Sequence, residues 1–138
     1  ATASNQVRIG NTAVTYAGVQ VAWTITSDKR WKTEIQPSGL GLSFIKALRP
    51  VSYIRKNDAT KKIEYGFIAQ EVETLLSASG VANSGLITKD EEGLLSMRYN
   101  DLISPMVKAI QEQQDMIEEL KLRNKDLEAR LKALEKKQ

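Results

Sequence analysis

From Val19 to Ile25 the chain alternates. Val19, Val21, Trp23 and Ile25 are separated by Gln20, Ala22 and Thr24, the period of two of a strand buried on one face. Upstream, Val7-Arg8-Ile9 and Thr12-Ala13-Val14-Thr15 flank the turn pair Gly10-Asn11, which predicts a short hairpin. Arg8 is the only charged residue before Ser27. Strands this few cannot bury a core alone. Residues 1–26 therefore read as the end of a larger β structure, or as strands that pair with copies of themselves.

The pattern changes after residue 26. Leu40, Phe44, Ile45 and Leu48 have helical spacing, and the helix should stop before Pro50, because the residue before a proline resists the α region. Val51–Ile54 and Ile63–Tyr65 read as two strands joined by the polar run 55–62. Ile68–Leu76 reads as a short helix with Ile68, Val72, Leu75 and Leu76 on one face. Leu86–Thr88 and Leu94–Met97 flank Asp90-Glu91-Glu92-Gly93 as a second hairpin. Residues 27–99 are thus predicted to form a small α+β domain with short β-hairpins and helices.

Residues 100–138 show a third pattern. With Ile103 as heptad position a, the a positions are Ile103, Ile110, Ile117, Asn124, Leu131 and Gln138. The d positions are Met106, Gln113, Leu120, Leu127 and Leu134. Five heptads with a mostly apolar seam predict a coiled-coil helix and hence an oligomer. Arg123 and Arg130 at g stand five residues before Glu128 and Glu135 at e, a spacing that bridges parallel helices. Ile at a with Leu at d suits dimers and Asn124 suits a fixed register, so the heptads alone leave dimer and trimer open. The alternative is a single solvated amphipathic helix folded back on the domain. The charged e and g positions narrow the apolar stripe and count against it.

Composition removes whole classes of chemistry. The 138 residues include no Cys and no His. Disulfides, thiolate nucleophiles, zinc fingers and imidazole bases are excluded, and proton transfer falls to Lys, Asp, Glu or Tyr. No metal site and no cofactor is expected. Twenty basic residues against seventeen acidic ones give +3. They are interleaved, not gathered on one face, so nucleic acid is not an expected partner. No run approaches the roughly 18 apolar residues of a membrane span, and no membrane insertion is expected. No signal peptide is visible either, although the chain starts with Ala and a segment upstream would lie outside it.

One pair of residues suggests a nucleophile and a base. Ser27 and Lys32 stand five apart in Ser27-Asp28-Lys29-Arg30-Trp31-Lys32, and a Ser–Lys pair is a histidine-free variant of nucleophilic catalysis. The spacing alone is common; the plain alternative is a turn capped by Ser27 or Asp28 among solvated bases. Glu71 reads as an exposed helix residue or the partner of a basic neighbour, with a catalytic role as the other option. Tyr53, Tyr65 and Tyr99 read as half-buried strand residues.

The segment Ser27–Ile35 resembles the opening motif of the endosialidase-type intramolecular chaperone, the self-cleaving C-terminal domain of many phage tailspikes and tail fibres. A related domain occurs in myelin regulatory factor. Ala47-Leu48-Arg49-Pro50-Val51-Ser52-Tyr53 is similar to the family's Leu-x-Pro-x-x-Tyr strand. Tyr65-Gly66-Phe67-Ile68-Ala69-Gln70-Glu71-Val72 is similar to its most distinctive segment, and Met97–Leu102 to the stretch leading into its C-terminal helix. The resemblance covers residues 27–138.

The resemblance implies a homotrimer that registers an upstream β-rich fibre segment of the same chain and then cuts itself off between Thr26 and Ser27. Residues 1–26 would be the fibre stub, 27–99 the chaperone core and 100–138 the coiled coil. Ser27 would attack the carbonyl of Thr26 with Lys32 as base: an autocatalytic serine peptidase acting once, in cis, with no separate substrate. Asp28, Gln70 and Glu71 would be supporting residues. The implied setting is a phage tail-fibre precursor made in the bacterial host cytoplasm, or alternatively a bacterial cell surface. A lysine in water titrates at about 10.4, and bringing it to about 7 takes roughly 4–5 kcal/mol, from burial and nearby positive charge. Lys29 and Arg30 are candidate charges, Trp31 is a candidate shield, and neighbouring subunits would complete the burial. The alternatives are a permanent, non-cleaving trimerisation cap and a coiled-coil nucleic-acid-binding module.

Overall fold

The computed structural model describes residues 5, 7, 9–11 and 13–136. The expected hairpin at 7–15 falls partly outside them, as does heptad residue Gln138. The described residues show an α+β architecture with two separate antiparallel hairpins and one long helix. Helix α1 spans Leu42–Ala47, strands β1 and β2 span Val51–Tyr53 and Glu64–Gly66, and helix α2 spans Ala69–Ala78. Strands β3 and β4 span Ile87–Lys89 and Leu95–Met97, and helix α3 spans Ile103–Glu135. A 3-10 turn at Tyr99–Leu102 leads into α3. The chain falls into two compact units: Ala1–Gln36 with Pro50–Gly66, and Pro37–Arg49 with Phe67–Gln138.

The first unit contains the β1–β2 hairpin, in register Val51–Gly66, Ser52–Tyr65 and Tyr53–Glu64. Its polar loop is ordered by Asp58. That carboxylate accepts the N–H groups of Thr60 and Lys62, each at 2.9 Å, and the Thr60 hydroxyl at 2.6 Å. These are the local bonds that suit Asp to turns. At the base of the loop, Arg55 Nε meets Glu64 Oε2 at 3.0 Å. No described residue of this unit is buried. The alternating segment 19–25 joins no ladder among the described residues, and Val21, Trp23 and Ile25 stand open to solvent. Tyr65 differs from its expected half-burial. It lies opposite Ser52, and the chain does not cover that face, leaving it 81% exposed.

The second unit holds the core. Phe44 of α1, Val72 and Leu76 of α2, Leu86 and Leu102 pack together, flanked by Leu40, Ile45, Leu48, Phe67, Leu75, Val81, Ile87 and Met97. The periodicities behind α1 and α2 are therefore those of residues that meet in space. Ile68 is the exception: it precedes the first turn of α2 and is partly exposed. Strand β3 pairs with β4 across the turn at 90–93, where Gly93 takes φ +84°. Tyr99 lies in the 3-10 turn, not in a strand. Its hydroxyl accepts the Phe67 N–H at 3.2 Å and its ring stacks on Phe67, 6.1 Å between centroids.

Helix α3 has 33 residues, about 50 Å at 1.5 Å per residue. Only its start is docked. Leu102, Pro105 and Ala109 are buried, and Glu112 is half-buried. The a and d residues lie about a third of a turn away around the axis. Ile103, Met106, Ile110, Ile117, Leu120, Leu127, Leu131 and Leu134 remain 44–64% exposed, and Gln113 and Asn124 are exposed with them. The core therefore uses a different face of the helix from the heptad seam. Among the described residues no helix is long and apolar enough to cross a membrane, and no group of three or more acidic side chains is placed to hold a metal ion.

Candidate functional site

Asp28 builds the local structure around Ser27. It is the N-cap of a 3-10 turn at Lys29–Trp31, with an extended backbone at φ −63°, ψ 137°. Its Oδ1 accepts the Arg30 N–H at 2.8 Å, the capping bond for which Asp is favoured. The turn closes through Trp31 N–H to the Asp28 carbonyl at 3.1 Å and Lys32 N–H to the Lys29 carbonyl at 3.0 Å. The chain is thereby folded back so that Lys32 returns toward Ser27. Lys32 Nζ lies 2.7 Å from Ser27 Oγ. The two residues that the sequence pairs as nucleophile and base are within hydrogen-bond reach, the first geometric requirement for proton transfer between them.

Arg30 has a role that the sequence reading missed. Its guanidinium clasps Asp28 through Nε to Oδ1 at 3.0 Å and Nη2 to Oδ2 at 2.8 Å. This fork holds the Asp28 carboxyl below its ordinary value, chiefly through the side-chain bonds to Arg30, and raises Arg30 in return. Arg30 was expected to lend positive charge to the site. Asp28 offsets that charge instead, because a planar guanidinium two residues away fits a carboxylate bidentately. An Asp at a cap with Arg two residues on was the available signal. Ser27, Lys32 and Trp31 are all exposed, Trp31 by 82%. Within one chain, the expected shield over the pair is not in place.

The remaining candidates lie elsewhere. Gln70 and Glu71 are in the first turn of α2, in the second unit. Gln70 is exposed, and its carbonyl accepts the Thr74 hydroxyl at 2.9 Å. Glu71 is clasped by Arg49, Nε to Oε2 at 3.0 Å with a second bond from Nη2 to Oε1. Arg49 holds the Glu71 carboxyl below its usual range. The ion pair is the structural alternative read from the sequence. It ties the residue before Pro50 to the first turn of α2, 22 residues further on.

Residues 27–81 match the family described as the chaperone of endosialidase. The chain carries an endosialidase-type intramolecular chaperone domain over this stretch. The match starts at Ser27 and ends after α2, so the Met97–Leu102 motif and α3 lie outside it. No curated protein matches the chain.

Proposed function

We propose that the chain is an intramolecular chaperone that trimerises, registers an upstream β-rich fibre or tailspike segment, and then cleaves itself between Thr26 and Ser27. The observation that carries this reading is the 2.7 Å contact of Lys32 Nζ with Ser27 Oγ at the first residue of the family match. The exposed seam of α3 supports the oligomeric part, since a stripe of apolar a and d residues in water is stabilised by partner helices.

In the reaction, neutral Lys32 takes the Ser27 hydroxyl proton as Oγ bonds to the Thr26 carbonyl carbon. A five-membered ring of Oγ, Cβ, Cα, N and that carbon forms. It collapses by breaking the Thr26–Ser27 C–N bond, with the proton passing to the Ser27 nitrogen, and leaves an ester on Oγ. Water hydrolyses the ester and frees the two pieces. Lys32 must shed its proton first, and for an exposed amine this requires desolvation. Burial of Trp31 and Lys32 by neighbouring subunits supplies it, so cleavage follows correct assembly. The coiled coil also raises the effective concentration of strands such as Val19–Ile25 to about millimolar. This matters because long-range β pairing is slow to nucleate and a one-residue slip turns Trp23 to the wrong face. The setting that goes with this role is a phage tail-fibre precursor in the host cytoplasm.

The exposure of Ser27 and Lys32 favours one alternative, a permanent trimeric cap that does not cut. Intact mass separates the two, measured on the chain carrying a longer upstream segment beside Ser27→Ala and Lys32→Ala. Splitting before Ser27 in wild type alone supports self-cleavage. Whole trimers in all three support the cap.

A further inference from the structure

The docked start of α3 is joined to α1 by a polar contact that neither the seam nor the Ser–Lys pair uses. Glu112 stands 70 residues beyond Leu42, yet its Oε2 accepts the Leu42 backbone N–H at 2.6 Å. Gly41, the N-cap of α1, has no side chain to cap that first turn, so the cap is supplied from α3. Lys108, one turn earlier on the same face, pairs with Glu112 at 3.6 Å and donates to the Ser38 carbonyl oxygen. Gly41 makes the approach possible. A Cβ there would come within 2.6–2.9 Å of the Glu112 carboxyl atoms.

We propose that Glu112, braced by Lys108, is a positioning residue that locks the docked start of α3 in one register against α1. The inference rests on the assembly reading above. Apolar burial of Pro105 and Ala109 is non-directional and allows α3 to slide. A carboxylate bonded to an N–H is directional. A one-turn slip would bring Lys108 or Met116 opposite Leu42, and neither carries a carboxylate. Because Glu112 lies off the a/d face, a partner helix covering Ile110 and Ile117 leaves the joint intact.

The test uses the whole chain with Glu112→Ala, Glu112→Gln and Gly41→Ala. It reads amide hydrogen exchange over α1 and oligomer mass by light scattering. Glu112→Ala and Gly41→Ala should speed exchange at the start of α1 about tenfold at unchanged mass, with Glu112→Gln in between because it keeps an acceptor oxygen. In the chain with a longer upstream segment, cleavage should fall in the same order. Unchanged exchange in Glu112→Ala would overturn the joint. A drop in mass would overturn it too, by placing Glu112 in the seam. A monomeric wild type sinks the assembly reading instead, and the exchange comparison still decides the joint.

Discussion

The two units of the molecule differ in what they do with apolar side chains. Every buried residue among those described, from Gly41 to Ala109, belongs to Pro37–Arg49 with Phe67–Gln138. That unit closes a core around Val72, which is 1% exposed. The other unit buries none. It leaves Trp23, Ile25, Trp31, Ile35, Ile63 and Tyr65 more than half exposed, and it is held by turn bonds and one short hairpin. It is also the unit that contains Ser27 and Lys32. One unit thus closes a core within a single chain, and the unit that holds the Ser27–Lys32 contact does not. Large apolar groups exposed to water in such number mark a surface that something else covers. Self-cleavage that waits for assembly needs a base whose surroundings are completed last.

The contrast can be broken or sharpened experimentally. The largest effect should come from Lys32→Ala, which lowers cleavage by about 100-fold or more, the scale of a lost general base, with no change in oligomer mass; gel densitometry over time reads it. Replacing Leu120 in the seam with Asp should abolish assembly on light scattering and stop cleavage with it. Continued cutting by the monomeric variant would overturn the dependence on assembly. Truncating the finished half, Leu76→Ala, should cost about 2–5 kcal/mol in a urea melt. Trp31→Ala in the Leu120→Asp background should stay within roughly 0.5 kcal/mol, as an exposed site does. An equal loss from both would erase the contrast.

A smaller effect is expected from Asp28→Asn, which loosens the Arg30 fork and should slow cleavage roughly 10- to 100-fold by misplacing the pair. The smallest concerns pH. Because Arg30 holds Asp28 below its ordinary value of 3.8, the stabilisation of the turn is complete above that value and is lost as pH falls through the lower, folded one. The Arg30 amide signal in NMR should therefore hold steady from neutral pH down to about 5 and move only below about 4. Movement between pH 5 and 7 would mean that Asp28 does not control the turn.

Much of this fold was legible in local pattern. The helical spacing of Phe44 and Ile45, the face shared by Val72 and Leu76, both hairpins with their turn residues, and the heptads after Ile103 all appear as α1, α2, β1 to β4 and α3. Ser27 and Lys32 were singled out by the resemblance and not by their common spacing, and the capped turn between them brings them within 2.7 Å. The alternation at 19–25 was also readable, but a period of two states only which side chains share a face. It supplies no partner strand, and among the described residues that segment pairs with none.

By itself, the sequence determined where α1, α2, α3 and the four short strands form, because periodicity, turn residues and prolines act over a few residues. Only the tertiary structure decided what meets across long intervals. It put Arg49 on Glu71, the Tyr99 hydroxyl under Phe67, and Glu112 on Leu42. It also chose the face of α3 that docks, placing Pro105 and Ala109 in the core and leaving Ile110, Ile117 and Leu120 exposed. Heptad spacing marks an apolar stripe without saying what lies against it, and contacts 22 to 70 residues apart exist only once the core has brought their backbones together.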